Sequence, residues 1–432
     1  MPNWDRVKIS SFLQEREDRM TPVEANNMGL KRLEKIDFSG NIHIADGKKT
    51  KTNMILVKKG DLVISGINVE KGAITIYKGD EDIVATIHYS SYGYDETLID
   101  IDYLKWFLKS AEFKKALKSQ VKGGIKTELK PKKFLPLVVS LPKLSEQKQI
   151  LDNINSVDSD IQTLKKLIIK AKNSVQALRR AILQEAVQGK LVPQDPTDEP
   201  ASEIIKRIKA EKEKLIKKNK IKKEKSLPPI SENEKPYELP DRWVWVRLGD
   251  VVNYGSCSKV EGDNIPDDTW VLDLGDIEKE TSKIIQKVNF AERKSKSSKN
   301  VFTKGQVLYG KLRPYLDKVV IADEDGICTT EILPLSIYCG ITNKYLFWAL
   351  KRPDFISYVN SKTYGVKMPR LGTTDGRMAL LPVPPYEEQT RMTDKIERLL
   401  TDSEKLMCKI ESSKKNSEKL MQAVLQEAFE NG

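Results

Sequence analysis

The sequence predicts an α+β protein built twice: two similar mixed α/β domains, each followed by a long helix, the two helices pairing antiparallel as a coiled coil about a pseudo-twofold axis. Three observations predict it. The chain repeats itself at a shift of 242 positions, from Glu146 to Glu388. Apolar residues recur at heptad spacing along two stretches of about forty residues. Strand-like runs accompany one short helical pattern in each globular part.

The repeat is dense. The shift that carries Glu146-Gln147 onto Glu388-Gln389 also superposes Ile154 on Ile396, Leu164 on Leu406, Ile168 on Ile410 and Leu178 on Leu420. It places Leu183-Gln184-Glu185-Ala186 on Leu425-Gln426-Glu427-Ala428, and upstream it matches Tyr103, Leu104, Trp106 and Phe113 to Tyr345, Leu346, Trp348 and Phe355. Nearer the domain starts the offset drifts, with Lys59-Gly60 on Lys304-Gly305 and Trp4 on Trp243, as loop insertions produce. The expected order is a domain over 1–143, a helix over 144–189, a connector over 190–240, a second domain over 241–385 and a second helix over 386–432.

From Ile150 to Ile182 the apolar positions alternate steps of four and three, a coiled-coil seam that predicts a rod of roughly 60 Å. The second copy keeps Met392, Ile396, Leu399, Leu406, Ile410, Leu420 and Val424 in register but puts Ser403, Ser413 and Ser417 in the seam, which predicts looser packing. Two copies in one chain favour pairing with each other over dimerisation between chains. Two modules on such a spacer suit a split target whose halves lie about one turn of duplex, roughly 34 Å, or a little more apart.

Composition fits a folded chain, with 39% hydrophobic and 7% aromatic residues. No apolar run is long enough for a membrane span, and the N-terminal stretch lacks a signal-peptide pattern, so a cytoplasmic location and no membrane partner are expected. Cys257, Cys328, Cys339 and Cys408 are scattered, and His43 and His88 lie far from them, which argues against a zinc cluster or disulfide framework. The net charge of +12 suggests a polyanionic partner, yet residues 206–225 alone hold eleven Lys or Arg against three Glu. That run predicts a solvated Lys/Glu-rich helix from about Pro200 to Lys225.

Candidate DNA contacts are cations interleaved with aromatics. In GQVLYGKLRPYLDKVV these are Tyr309, Lys311, Arg313, Tyr315 and Lys318; in YGVKMPRLG they are Lys367 and Arg370, on a turn that Gly365 and Gly372 would leave flexible. In the first domain Asn68 and Lys71 occupy the equivalent turn, with Tyr89, Tyr92, Tyr94, Lys122 and Lys126 beside them. Arg313 and Arg370 lead in the second domain, and Asn68 and Lys71 in the first.

The start of the second domain (LPDRWVWVRLGDV), the GKLRPYL segment, the LPKLSEQ and VPPYEEQ starts of the long helices and the LQEA near each helix end together resemble type I restriction–modification specificity subunits over essentially the whole chain. That resemblance implies two target recognition domains and an asymmetric split DNA target. It also implies two methyltransferase subunits seated against the helices, restriction/translocase subunits added to them, and no catalysis by this chain. S-adenosylmethionine, ATP and magnesium are then expected on the partner subunits and no cofactor on this one. A specificity partner of a fused nuclease–methyltransferase, or a coiled-coil scaffold without DNA specificity, are the other readings.

Three enzyme motifs nearly appear. GQVLYGKL lacks the Ser or Thr of a phosphate-binding loop, since Leu312 follows the lysine. VPPY puts Val383 where an adenine methyltransferase needs Asp or Asn. Pro266-Asp267 with Glu292-Arg293-Lys294 fits a loose nuclease pattern that a chain 31% charged produces by chance.

Overall fold

The computed structural model describes residues 4–38, 40–45, 51–67, 73–120, 129–262, 265–365 and 367–430. The first domain runs β1 (Asp5–Lys8), β2 (Leu13–Glu15), β3 (Arg19–Met20), α1 (Pro22–Asn27), β4 (Lys31–Ile36), β5 (Ile42–Ile44), β6 (Met54–Val57) and β7 (Leu62–Ser65). It continues through β8 (Ile74–Ile76), β9 (Ile83–Thr86), β10 (Tyr89–Tyr94), α2 (Ile101–Phe107), α3 (Ala111–Gln120), α4 (Pro131–Phe134) and β11 (Val138–Leu141) into the long helix α5 (Leu144–Val187). After α6 (Ala201–Lys217) the second domain begins with β12 (Val244–Arg247), α7 (Leu248–Val251), β13 (Val252–Asn253), β14 (Lys259–Val260), β15 (Trp270–Leu272) and β16 (Val288–Asn289). Then come β17 (Lys299–Phe302), β18 (Val307–Gly310), β19 (Val319–Ile321), β20 (Gly326–Cys328), β21 (Ile332–Ile337), α8 (Asn343–Leu350), α9 (Pro353–Lys362), α10 (Thr373–Met378), β22 (Leu380–Val383) and the second long helix, α11 (Tyr386–Glu430).

The duplication is exact in topology. In the first domain β1 pairs with β11, a four-stranded sheet has the order β2-β10-β7-β8, and a five-stranded sheet the order β3-β6-β9-β4-β5. The second repeats this as β12-β22, β13-β21-β18-β19 and β14-β17-β20-β15-β16. Even the single parallel pairing recurs, β4 beside β9 and β15 beside β20. The lysine-glycine turns match as well. After Gly60 (φ +89°), Asp61 accepts from Lys58 N–H at 2.9 Å and from Ser91 Oγ at 2.8 Å. After Gly305 (φ +83°), Gln306 accepts from Thr303 N–H at 3.1 Å and donates to Ser336 Oγ at 2.9 Å.

The chain divides into two compact units, residues 1–170 with 410–432, and residues 171–409. In the first, the start of α5 packs with the end of α11: Ile154, Leu425 and Phe429 join Tyr103, Phe107 and Phe113 in one core. In the second, Ile182 and Ala186 near the end of α5 meet Met392, Ile396 and Leu400 near the start of α11, and Arg179 pairs with Glu404 at 3.7 Å. Within each unit the two helix segments are therefore antiparallel.

The seam is narrower than the heptad pattern predicts. Ile154, Ile161, Ile168, Val175 and Ile182 are buried, one in every seven, each worth about 1.5–3 kcal/mol of apolar burial. Leu164, Leu178, Leu406 and Leu420, which the pattern assigns to the seam, are exposed, and so is Ser413. Ser403 and Ser417 are buried and satisfy their hydroxyls on the carbonyls of Leu399 and Lys414. One row of β-branched side chains on α5 is thus buried, while Leu164 and Leu178 of the alternate row lie at the rim.

The connector helix is not the solvated element its charge suggests. Ala201, Ile204 and Ile208 of α6 are buried in the second domain's core, because their spacing makes an apolar stripe under the lysines. Lys212 donates to the carbonyls of Gly249 and Asp250 and lies over the Tyr338 ring. Gln194 and Asp198 then grip the start of α11 through Glu388 (2.6 Å) and Arg391 (2.5 Å).

Candidate nucleic-acid interface

Each domain is fixed to its long helix by the Glu-Gln pair. Gln147 accepts from Asp100 N–H at 2.8 Å and donates to the carbonyls of Leu98 (3.0 Å) and Pro142 (2.9 Å). Gln389 makes the same bonds to Thr342 (2.9 Å), Gly340 (2.9 Å) and Pro384 (3.4 Å). Glu146 accepts from the indole of Trp4 at 2.8 Å, and Glu388 from that of Trp243 at 3.0 Å. A fully buried amide that satisfies three backbone groups fixes the angle between domain and helix, which explains the recurring EQ.

The second domain offers a cationic tip. β18 and β19 are joined through a 3₁₀ turn at Pro314–Leu316, flanked by Arg313 and Asp317, both with left-handed backbones. Gly310 leads into it where a Cβ would come within 2.8 Å of Leu274 Cδ2 and 3.0 Å of the Lys318 carbonyl. The segment Tyr364–Leu371 is laced onto this turn. Arg313 N–H donates to Pro369 O (2.7 Å), Leu371 N–H to Lys311 O (3.0 Å), and Tyr364 and Arg370 bridge to each other. Two segments more than fifty positions apart thus present Lys311, Arg313, Tyr315, Tyr364, Lys367 and Met368 together. The glycine turn expected to be flexible is tied down: only Gly365 takes a positive φ (+96°), and Gly372 is ordinary extended backbone.

The candidates divide by surroundings. Arg313 is exposed and its guanidinium bonds to the Lys367 carbonyl at 3.3 Å; among the described residues neither it, Lys311 nor Lys367 pairs with a carboxylate. Arg370 instead donates from Nε to both oxygens of Glu331 at 3.1 Å, an ion pair that ties it to the loop while over a third of its side chain stays exposed. Lys318 is half-buried, donates to the Leu274 carbonyl, and has its ammonium shifted down by desolvation. Tyr309 is a core side chain against Phe355 and Tyr254, and Tyr92 is another against Phe134, because both strands are covered on two faces. Burial pushes both phenols well up, and both leave the candidate surface. Tyr89 and Tyr94 are half-buried, their phenols also raised by burial. Asn68, Lys71, Lys122 and Lys126 lie outside the described residues.

Sequence reasoning missed Tyr364 and Met368, 62% and 45% exposed on the laced loop; their place inside YGVKMPRLG was the available signal. The enzyme-like motifs take other forms. Val307–Gly310 is a buried strand paired with β19 and β21, not a phosphate loop, and Val383 is buried in β22. Lys294 lies 3.8 Å from Asp267, while Arg293 clasps Asp276. His43 bonds to Asp37 at 3.1 Å. Among the described residues no three His, Cys, Asp or Glu side chains gather as a metal site, and no helix is long and apolar enough to cross a membrane.

No protein-family model matches the chain. Among characterised proteins, the EcoAI type I restriction enzyme specificity subunit of Escherichia coli is 28% identical over 91% of this chain and 76% of its own length. The EcoDI specificity subunit of Escherichia coli is 26% identical over 78% of this chain and 71% of its own. The chain is a homologue of type I restriction enzyme specificity subunits. The fold agrees: a solved structure from work on complex assembly and conformational transition of the type I R-M system superposes with a TM-score of 0.67 at 15% identity, over 99% of this chain and 98% of that one. The crystal structure of the HsdS subunit from Thermoanaerobacter tengcongensis gives 0.51 at 16% identity, over 99% and 97%. The fold of this chain is thus shared with those two solved structures.

Proposed function

We propose that this chain is the non-catalytic, sequence-reading subunit of a type I restriction–modification complex, with each domain reading one half of a split, asymmetric DNA target. The observation that carries this reading is the strand-for-strand duplication of a domain clasped to a long helix, in a chain homologous to specificity subunits over nine-tenths of its length. The domains share a frame and differ in side chains, so two different half-sites follow. The tip of the second domain supplies unpaired cations and exposed aromatics of the kind that meet phosphates and base edges.

On this reading the helices seat two methyltransferase subunits, and restriction/translocase subunits join them in the cytoplasm. S-adenosylmethionine, ATP and magnesium belong to those partners. The test is to select bound sequences from a random duplex pool and to map which genomic adenines lose methylation when the gene is removed. One split motif in both experiments is expected; a pool with no preferred sequence would leave only a scaffold. Co-purification of separate methyltransferase and motor subunits, rather than one fused chain, fixes the class of partner.

A further inference from the structure

Among the described residues five non-glycine residues have positive φ; three of them, Glu280 (+65°), Ser282 (+62°) and Asp317 (+48°), meet at one ammonium group, and a fourth, Arg313 (+49°), begins the turn that Asp317 ends. The ammonium belongs to Lys351, at the end of α8. Its side chain is 5% exposed, and its Nζ donates to Asp317 Oδ2 (2.5 Å), Ser282 Oγ (2.7 Å) and the Glu280 carbonyl (3.1 Å). Three donors meet three acceptors, two of them on the loop between β15 and β16 and one on the turn that ends the cationic tip. The loop and the turn are also joined directly, Glu280 N–H donating to Leu316 O at 3.1 Å.

We infer that Lys351 is a positioning residue for sequence reading: it locks the strained Arg313–Asp317 turn so that Arg313 and Tyr315 are held in one orientation before DNA arrives. Left-handed backbone at Arg, Asp, Glu and Ser persists only where the surroundings over-determine it, and such strain gathers where a fixed geometry is needed. An ammonium shared by both strained segments supplies that determination. Desolvation has shifted the Asp317 carboxyl up to about 6 and the Lys351 ammonium down, as a dry pair should show. At the same place in the repeat, Lys109 of the first domain lies over the Trp106 ring, with no carboxylate bonded to it among the described residues.

This inference rests on the reading of that tip as DNA-facing, so its test has two readouts on the full chain, for Lys351→Met and the milder Asp317→Asn. Hydrogen exchange in the DNA-free protein follows the amides of Glu280, Leu316 and Asp317, whose bonds close the turn. Both variants should speed their exchange by about tenfold or more while Leu308 and Tyr309 in β18 keep theirs. Unchanged exchange in both variants would overturn the lock, as would equal acceleration in β18 with Asp317→Asn, which would make the pair a general fold contact. Selection from a random duplex pool should then blur the half-site of the second domain by about tenfold in preference and leave the other half sharp. Faster exchange with both half-sites sharp would overturn the role in reading. If the wild-type chain selects no sequence at all, the proposed function falls, and the exchange data still decide whether Lys351 holds the turn.

Discussion

At the root of either domain a glutamine makes the same three backbone bonds, Gln147 to residues 98, 100 and 142 and Gln389 to residues 340, 342 and 384. What leans on each root differs. The first is covered by the end of α11, through Leu425 and Phe429, whereas the second also carries the connector, with Ile204 and Ile208 buried and Gln194 bonded to Glu388. Towards the sheets, geometry is kept while chemistry changes, as when Asp61 accepts from a serine and Gln306 donates to one. Attachment to the helices is kept between the halves while side-chain chemistry on the sheets is not; under the proposed function, that lets a domain change its target without changing how it is mounted.

The largest effect expected to sharpen this comparison comes from Phe429→Ala. It removes a ring packed edge-on against Tyr103 and Phe107 and should cost about 3–5 kcal/mol. Urea unfolding followed by hydrogen exchange should show the loss in the first unit alone. Next, Gln147→Ala and Gln389→Ala each strand buried backbone groups and should cost about 2–3 kcal/mol. Markedly unequal losses in urea titrations would break the equivalence of the two roots.

Arg313→Ala should weaken binding to the selected sequence by about 1–3 kcal/mol while sparing random duplex, read by competition titration. Arg370→Ala, by contrast, should lower stability through loss of the Glu331 pair before it touches preference. Lys367→Ala should weaken binding to all sequences by under about 1 kcal/mol and reduce the slope of log K against log salt by about one.

The smallest effect separates the domains by acid. The Arg247 guanidinium and the Ser231 N–H hold the Glu234 carboxyl down at about 2. A depressed carboxyl contributes stability above its unfolded pKa of about 4.5 that drains as pH falls towards 2. Glu234→Gln should therefore flatten the stability curve of the second unit between about pH 4.5 and 2. The first domain has Lys8 where the repeat puts Arg247, and its lowered carboxyls, Glu24 and Asp95, are held by Thr21 and Thr97 instead, so the same substitution should leave its acid dependence unchanged.

Much of this frame was legible in the sequence, because heptads, the EQ pairs and matched aromatics are local or periodic signals. The connector's packing was legible too, in the spacing of Ala201, Ile204 and Ile208, but the lysines between them dominated the reading. Tyr92 and Tyr309 misled because an aromatic beside a cation reads alike whether its strand is covered on one face or two. The Glu331–Arg370 pair and the Lys351 cluster join residues far apart in sequence, and no periodicity announces them.

The first core needs Leu425 and Phe429, which come after the whole second domain along the chain. The domain synthesised first is therefore completed only after the second, and its aromatic surface must wait while those residues are made. Chains released early would carry that open cleft, which makes them natural substrates for chaperones and proteases.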